Sequence, residues 1–149
     1  MYHAFVRRRT IAVFDLLTRG EWDELLGDLA DDVEHGFPGD HPLGGTRRSR
    51  AAVGEWFDRL GRLVPGHECP AHRVNASGGP WSTWVAVQWT ARLTPAAGDA
   101  YVNDGAHWIH LRWGKVVAFH AYLDTQLVAR ACERMAAAGV AEAGAPPIE

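Results

Sequence analysis

The chain has 149 residues, 47% hydrophobic and 22% charged, with a formal net charge of −3. That is the size and balance of one globular domain around one core, and it excludes the overall basic bias that recruits nucleic acid. No apolar run approaches the ~20 residues of a membrane span. The early arginines follow a few apolar residues instead of preceding a long apolar region, which is the wrong order for a secretory leader. Cys69 and Cys132 stand in no metal or redox spacing and read as reduced thiols of a cytoplasmic protein. The basic clusters Arg7-Arg8-Arg9 and Arg47-Arg48-Ser49-Arg50 read as solvated faces.

Residues 3–19 predict a helix, with Val6, Val13, Phe14 and Leu17 on one face and Gly20 as its stop. Trp22, Leu25, Leu26 and Leu29 predict a second, shorter helix that breaks at Asp31-Asp32. Val33 to Phe37 alternates, so it predicts a short strand with Val33, His35 and Phe37 on one face. A turn-rich loop, Pro38 to Gly45, leads to the clearest helix, whose stripe is Val53, Trp56, Phe57, Leu60 and Val64, ended by Pro65-Gly66.

After Gly66 the period becomes two. His67–Asn75 and Trp81–Leu93 predict strands around the turn Gly78-Gly79-Pro80. Tyr101–Trp113 and Val116–Leu123 predict two more, joined as a hairpin at Gly114-Lys115. Leu127, Val128, Ala131 and Met135 form the apolar face of a last helix. Residues 1–140 are expected to make one domain, and 141–149, with Pro146-Pro147, an irregular tail. Helices first, then consecutive strands, then a closing helix predict an α+β fold: a curved antiparallel sheet with helices against one face and a conical space between them. The other sheet face, with some of the seven tryptophans on it, is expected to be buried in a homodimer.

Three motifs carry a resemblance: Gly39-Asp40-His41-Pro42-Leu43-Gly44-Gly45-Thr46 before the third helix, Tyr101-Val102-Asn103 entering a strand, and Gly114-Lys115-Val116 running to Tyr122-Leu123-Asp124. Over roughly residues 5 to 135 the order of elements with these motifs resembles the SnoaL-like polyketide cyclase family, within the nuclear transport factor 2-like superfamily that also holds ketosteroid isomerases. The resemblance implies a cystatin/NTF2-like cone with a deep apolar pocket, a dimer, and no metal or organic cofactor. It also implies that Asp124 acts as a general acid/base and that Asp40 stands in the loop where ketosteroid isomerases place their base. The first helix has no internal tyrosine to supply an isomerase-type oxyanion donor, and Val87-Gln88-Trp89-Thr90-Ala91 has no Arg-x-Asp pair of the limonene epoxide hydrolase type.

On the Val116–Leu123 strand, Ala118, His120, Tyr122 and Asp124 share one face, and Val117, Phe119, Ala121 and Leu123 the other. The polar face is expected to line the pocket, where an imidazole near a carboxylate exchanges protons near neutral pH. Asp124, His120 and Asp40 are the candidate catalytic residues; Asp124 is equally a helix cap, and Asp40 a turn residue. His35, Asn103, His110, Tyr122 and Trp108 are the candidate substrate-binding residues, with His110 favoured over His107 because it shares the parity of Trp108. His35 is either a buried histidine or a pocket group, and Asn103 either orients a carbonyl or caps a bulge near Gly105. His107 and His110 point to opposite faces, so no shared metal site is expected. The function expected is an enzyme acting on a small apolar carbonyl compound of polyketide or terpenoid type, by cyclisation, isomerisation or dehydration. The alternative is a non-catalytic binding or dimerisation module of the same fold.

Overall fold

A computed structural model describes residues 1–149. Helix α1 (Tyr2–Arg19) and the short α2 (Trp22–Gly27) are followed by strand β1 (Leu29–Phe37), the short β2 (Gly45–Arg47) and helix α3 (Arg50–Leu63). Then come β3 (Gly66–Glu68), β4 (Ala71–Gly79), β5 (Ser82–Thr94), β6 (Tyr101–Arg112), β7 (Lys115–Leu123), helix α4 (Thr125–Ala137) and a 3₁₀ turn (Ala141–Gly144). The sheet runs β2-β1-β7-β6-β5-β3, with β4 also paired to β5. This is the expected α+β cone, with one difference in the sheet. It is mixed, because β1 runs parallel to β7 and sets His35 beside Phe119 and Gly36 beside His120.

Local chemistry explains most boundaries. Gly20 ends α1 in the left-handed conformation, its N–H on the carbonyls of Leu16 and Leu17. Ser49 caps α3 by accepting from the Ala52 N–H. Leu29, expected in the second helix, starts β1 instead, because Asp28 closes α2 and Leu29 pairs with Val116. The expected strand from His67 divides into β3 and β4 at Cys69-Pro70, where proline removes a ladder donor. The β6–β7 turn falls one residue earlier than expected, at Trp113-Gly114. Both have positive φ, 50° and 81°, the signature of a two-residue type I′ hairpin.

The side of the sheet that faces the helices is set by strand parity. In β5 the buried residues are Thr83, Val85, Val87, Trp89 and Ala91, and in β7 they are Phe119 and Ala121. The ladder slips between His110 and Leu111, leaving Val117 opposite no partner, so Val116 and Phe119 both face inward across the bulge. Residues 141–149 are packed down: Ala143 is buried, and Arg59 donates to the Pro146 carbonyl at 2.8 Å. No helix is long and apolar enough to cross a membrane.

Candidate functional site

Between the helices and the inner sheet face lies a cavity of about 170 Å³. Val13, Phe14 and Leu17 of α1, Trp56, Phe57 and Leu60 of α3, and Ile109, Phe119 and Leu123 of the sheet form much of its wall. Of its 25 lining residues 21 are hydrophobic, which leaves Asp28, His35, His67 and His107 as the polar ones. Any chemistry in this space rests on those four and on the Tyr101 hydroxyl.

His107 is the central group. It lies deep in the molecule yet keeps accessible surface, and that surface opens on the cavity. Burial, with a further push from His120, lowers its imidazole to about 4, so the ring is neutral at pH 7. The Trp89 indole N–H donates to its Nδ1 at 2.7 Å. An indole nitrogen can only donate, so Nδ1 must accept and Nε2 carries the proton. Trp89 reaches this position because its cross-strand partner is Gly105, where an added Cβ would stand 2.5 Å from the indole ring.

His35 follows the same logic from β1. It is fully buried, stacked on Phe119 at 4.2 Å and edge-on to Trp56 at 4.6 Å. Arg47 Nε donates to its Nδ1 at 2.9 Å, which again places the proton on Nε2. Burial first, then the Arg47 charge, holds His35 well below the ordinary imidazole range. Its Nε2 has no partner, and an unpaired buried N–H costs about 1–3 kcal/mol. Two neutral imidazoles protonated at Nε2 therefore border the cavity, and of the two only His107 keeps accessible surface.

The remaining polar groups are more constrained. His67 has Nδ1 2.9 Å from Val64 O and Nε2 2.7 Å from Leu17 O, and a neutral ring donates to one of these carbonyls. Tyr101, pushed up to about 12 by burial, remains a phenol whose hydroxyl has no protein partner. Asp28 is the one carboxylate on the wall and accepts from Arg9 at 2.6 Å. No group of three or more His, Cys, Asp or Glu side chains suited to a metal ion is present.

The residues expected from sequence to line the pocket are mostly elsewhere. His120, Tyr122, Trp108 and His110 sit on the outer sheet face, with Trp108 50% and Tyr122 57% exposed. The apolar face of β7 turned inward because burying Phe119, Ala121 and Leu123 gains more than burying the polar set. His120 lies over Gly36 and pairs with Glu34 at 3.1 Å. His110 stacks on Trp84 at 4.1 Å and shares a hydrogen bond with Ser82. Asp124 is exposed and caps α4, its carboxylate accepting from the N–H groups of Gln126 and Leu127. Asp40 is exposed in its loop. Asn103 is buried, but it exchanges two hydrogen bonds with the backbone of Asp124, at 2.9 and 3.2 Å, and so pins the end of β7. Of the expected residues, His35 alone lines the cavity.

His107, Trp89, Tyr101 and Arg47 are not among the site residues expected from the sequence, which favours His110 over His107. The signal for His107 was present: it falls opposite Val87, on the parity of the continuous apolar run Val85, Val87, Trp89.

Three solved structures show the same fold. An NTF2-like protein of unknown function from Burkholderia pseudomallei matches with a TM-score of 0.71 and 21% identity over 79% of this chain and 89% of that one. TerC, co-crystallised with polyporic acid, gives 0.71 and 22% over 83% and 95%. A candidate scytalone dehydratase from Novosphingobium aromaticivorans gives 0.67 and 12% over 79% and 80%. No curated protein matches the chain. The model of the SnoaL-like domain matches residues 10–119, a span that takes in both locked histidines and most of the sheet that carries them, and the chain belongs to the SnoaL-like domain family.

Proposed function

We propose that this protein is a small-molecule enzyme of the interior cavity, acting on a compact hydrophobic compound that carries a carbonyl oxygen. The observation that carries this reading is His107, whose Nδ1 accepts from Trp89 so that Nε2 carries the proton, and whose neutral ring lines a largely apolar space. An apolar cavity of ~150 Å³ admits benzene, so the space suits a single ring. A neutral imidazole polarises a carbonyl without charging first, and it stabilises an enolate oxygen as negative charge develops. The proton would leave the adjacent carbon for the Asp28 carboxylate and return from it to the same or a neighbouring carbon, giving exchange or isomerisation. Transfer of that proton from Asp28 to a β-hydroxyl instead, with the enolate electrons expelling it as water, would give dehydration.

One observation favours a second reading, ligand holding without turnover. Both deep histidines present a proton and no lone pair, and Asp28 is already engaged by Arg9. Incubating the protein with single-ring ketones in D₂O and following α-proton exchange by NMR separates the two. The enzyme reading predicts exchange that falls by roughly 10²–10³-fold in His107→Phe. Binding with no exchange supports the holding reading, and no binding removes both.

The outer sheet face supports the homodimer expected from the sequence. Trp84, Trp108 and Tyr122 are exposed there as neighbours, and a second copy of this face is the partner proposed for them. The reducing compartment inferred from two free cysteines stays with this proposal.

A further inference from the structure

Arg47 is completely buried, and no carboxylate hydrogen-bonds to it. All five of its N–H donors are nonetheless used. Nε goes to His35 Nδ1; one terminal nitrogen goes to Gly44 O at 2.9 Å and Ile148 O at 3.0 Å; the other goes to Gly45 O at 2.6 Å and His35 O at 3.3 Å. Burial pushes the guanidinium down to about 10, with Glu149 offsetting part of that push. Four of the five acceptors belong to the β1–β2 region. The fifth, Ile148 O, arrives from 101 residues away in sequence.

The segment that brings it is anchored independently. Arg59 and Arg62 both bind Glu142, the latter at 2.6 Å, and Arg59 also holds Pro146 O. The hydrogen bond from Arg62 is the main reason that the Glu142 carboxylate is held below its usual range.

We infer that residues 141–149 are a strap that completes the cradle of Arg47, and that Arg47, so held, is a positioning residue that fixes His35 as the Nε2–H tautomer. Without Ile148 O, one N–H of a buried cation loses its acceptor. The guanidinium then gains by turning toward water, and its Nε leaves the imidazole. Nδ1 of His35 is freed and both tautomers become accessible. The consequence for ligand rests on the reading of the cavity given above; the consequence for the tautomer does not.

Long-range ¹⁵N–¹H correlation of the His35 ring tests this in the 149-residue chain. The expected wild-type result at pH 7 is a single neutral tautomer protonated at Nε2. Arg47→Met removes the donor, and a chain ending at Ala145 removes Ile148 O, together with the Pro146 O held by Arg59 and the Glu149 charge, and leaves the buried cation in place. The shortened chain, with an unchanged far-ultraviolet spectrum, is expected to show mixed tautomers. It is also expected to bind cyclohexanone about five- to tenfold more weakly, the scale of one lost hydrogen bond. A wild-type His35 protonated at Nδ1, or a tautomer unmoved in the shortened chain, overturns the strap. Cyclohexanone affinity lost in His107→Phe while the His35 tautomer ignores the strap overturns this inference and leaves the cavity reading standing. A shifted tautomer with unchanged affinity upholds the strap and removes His35 from the ligand.

Discussion

Trp89 and His107 sit on adjacent strands with the indole N–H 2.7 Å from Nδ1, and this one bond decides what His107 offers the cavity. With Nδ1 held as acceptor, the ring donates from Nε2 and has no lone pair to act as a base. Trp89→Phe is expected to keep the packing and lose the donor. The predicted cost is about 1–2 kcal/mol in urea unfolding, with a tautomer mixture at His107 by ¹⁵N NMR. An unchanged tautomer would mean that the indole does not set it.

Gly105 makes that contact possible. A methyl group in Gly105→Ala would stand 2.5 Å from the Trp89 ring, so indole or strand must shift. The expected loss is about 1–3 kcal/mol, the range for overpacking, read from the urea midpoint. Trp89→Phe in the same chain should recover part of it, because a smaller ring leaves room. Two losses that simply add would place the strain elsewhere.

The two deep histidines also give stability a pH dependence of known sign. Both are held below the ordinary 6.5, His107 at about 4 and His35 well below. Between those values the unfolded chain binds protons that the folded chain excludes, so stability is full above about pH 6.5 and falls as pH drops toward 4. Each ring contributes a slope of at most about 1.4 kcal/mol per pH unit. Urea midpoints across this range should show the fall, and His107→Phe should flatten it. A midpoint insensitive to pH would contradict the neutral, buried state of the ring.

Asp124 separates capping from chemistry. Its carboxylate accepts from two N–H groups at the start of α4 and lies outside the cavity. Asp124→Ala should cost about 1 kcal/mol, and Asp124→Asn only a few tenths. Neither should change ligand affinity or α-proton exchange. Loss of exchange in a stable Asp124→Asn would restore the role first expected of it.

Trp108 tests the outer face. Trp108→Glu places a charge amid Trp84 and Tyr122 without touching the cavity. Sedimentation should show a dimer for the parent chain and a monomer for the variant. A monomeric parent, or a dimer untouched by the charge, removes the sheet face as the interface.

How far the sequence was legible follows from which interactions are local. Helix caps, the apolar stripes of α3 and α4, and the β5 to β7 meander are written in nearest neighbours, and they were found within a residue or two. The faces were harder to read. On β7 both sides suit a wall, and the polar side, with His120, Tyr122 and Asp124, carries the groups that chemistry needs. Phe119, Ala121 and Leu123 were the stronger signal, because apolar area drives a strand's orientation. The pairing of β1 with β7, the strand β2, and the Arg47–Ile148 bond depend on partners from 8 to 101 residues away. No local pattern encodes them. A lone arginine in a basic cluster reads as solvated, and here Arg47 is fully buried because five acceptors converge on it.

The proposed ligand site is the interior cavity, with His107 as its donor. The most direct measurement is a titration of ¹⁵N-histidine-labelled protein with cyclohexanone, followed at the His107 Nε2–H. The predicted result is a saturable shift of that resonance, a locked tautomer throughout, and an affinity about tenfold weaker in His107→Phe. A ligand that moves only the signals of Trp84, Trp108 and Tyr122, or that binds His107→Phe as well as the parent, would contradict it.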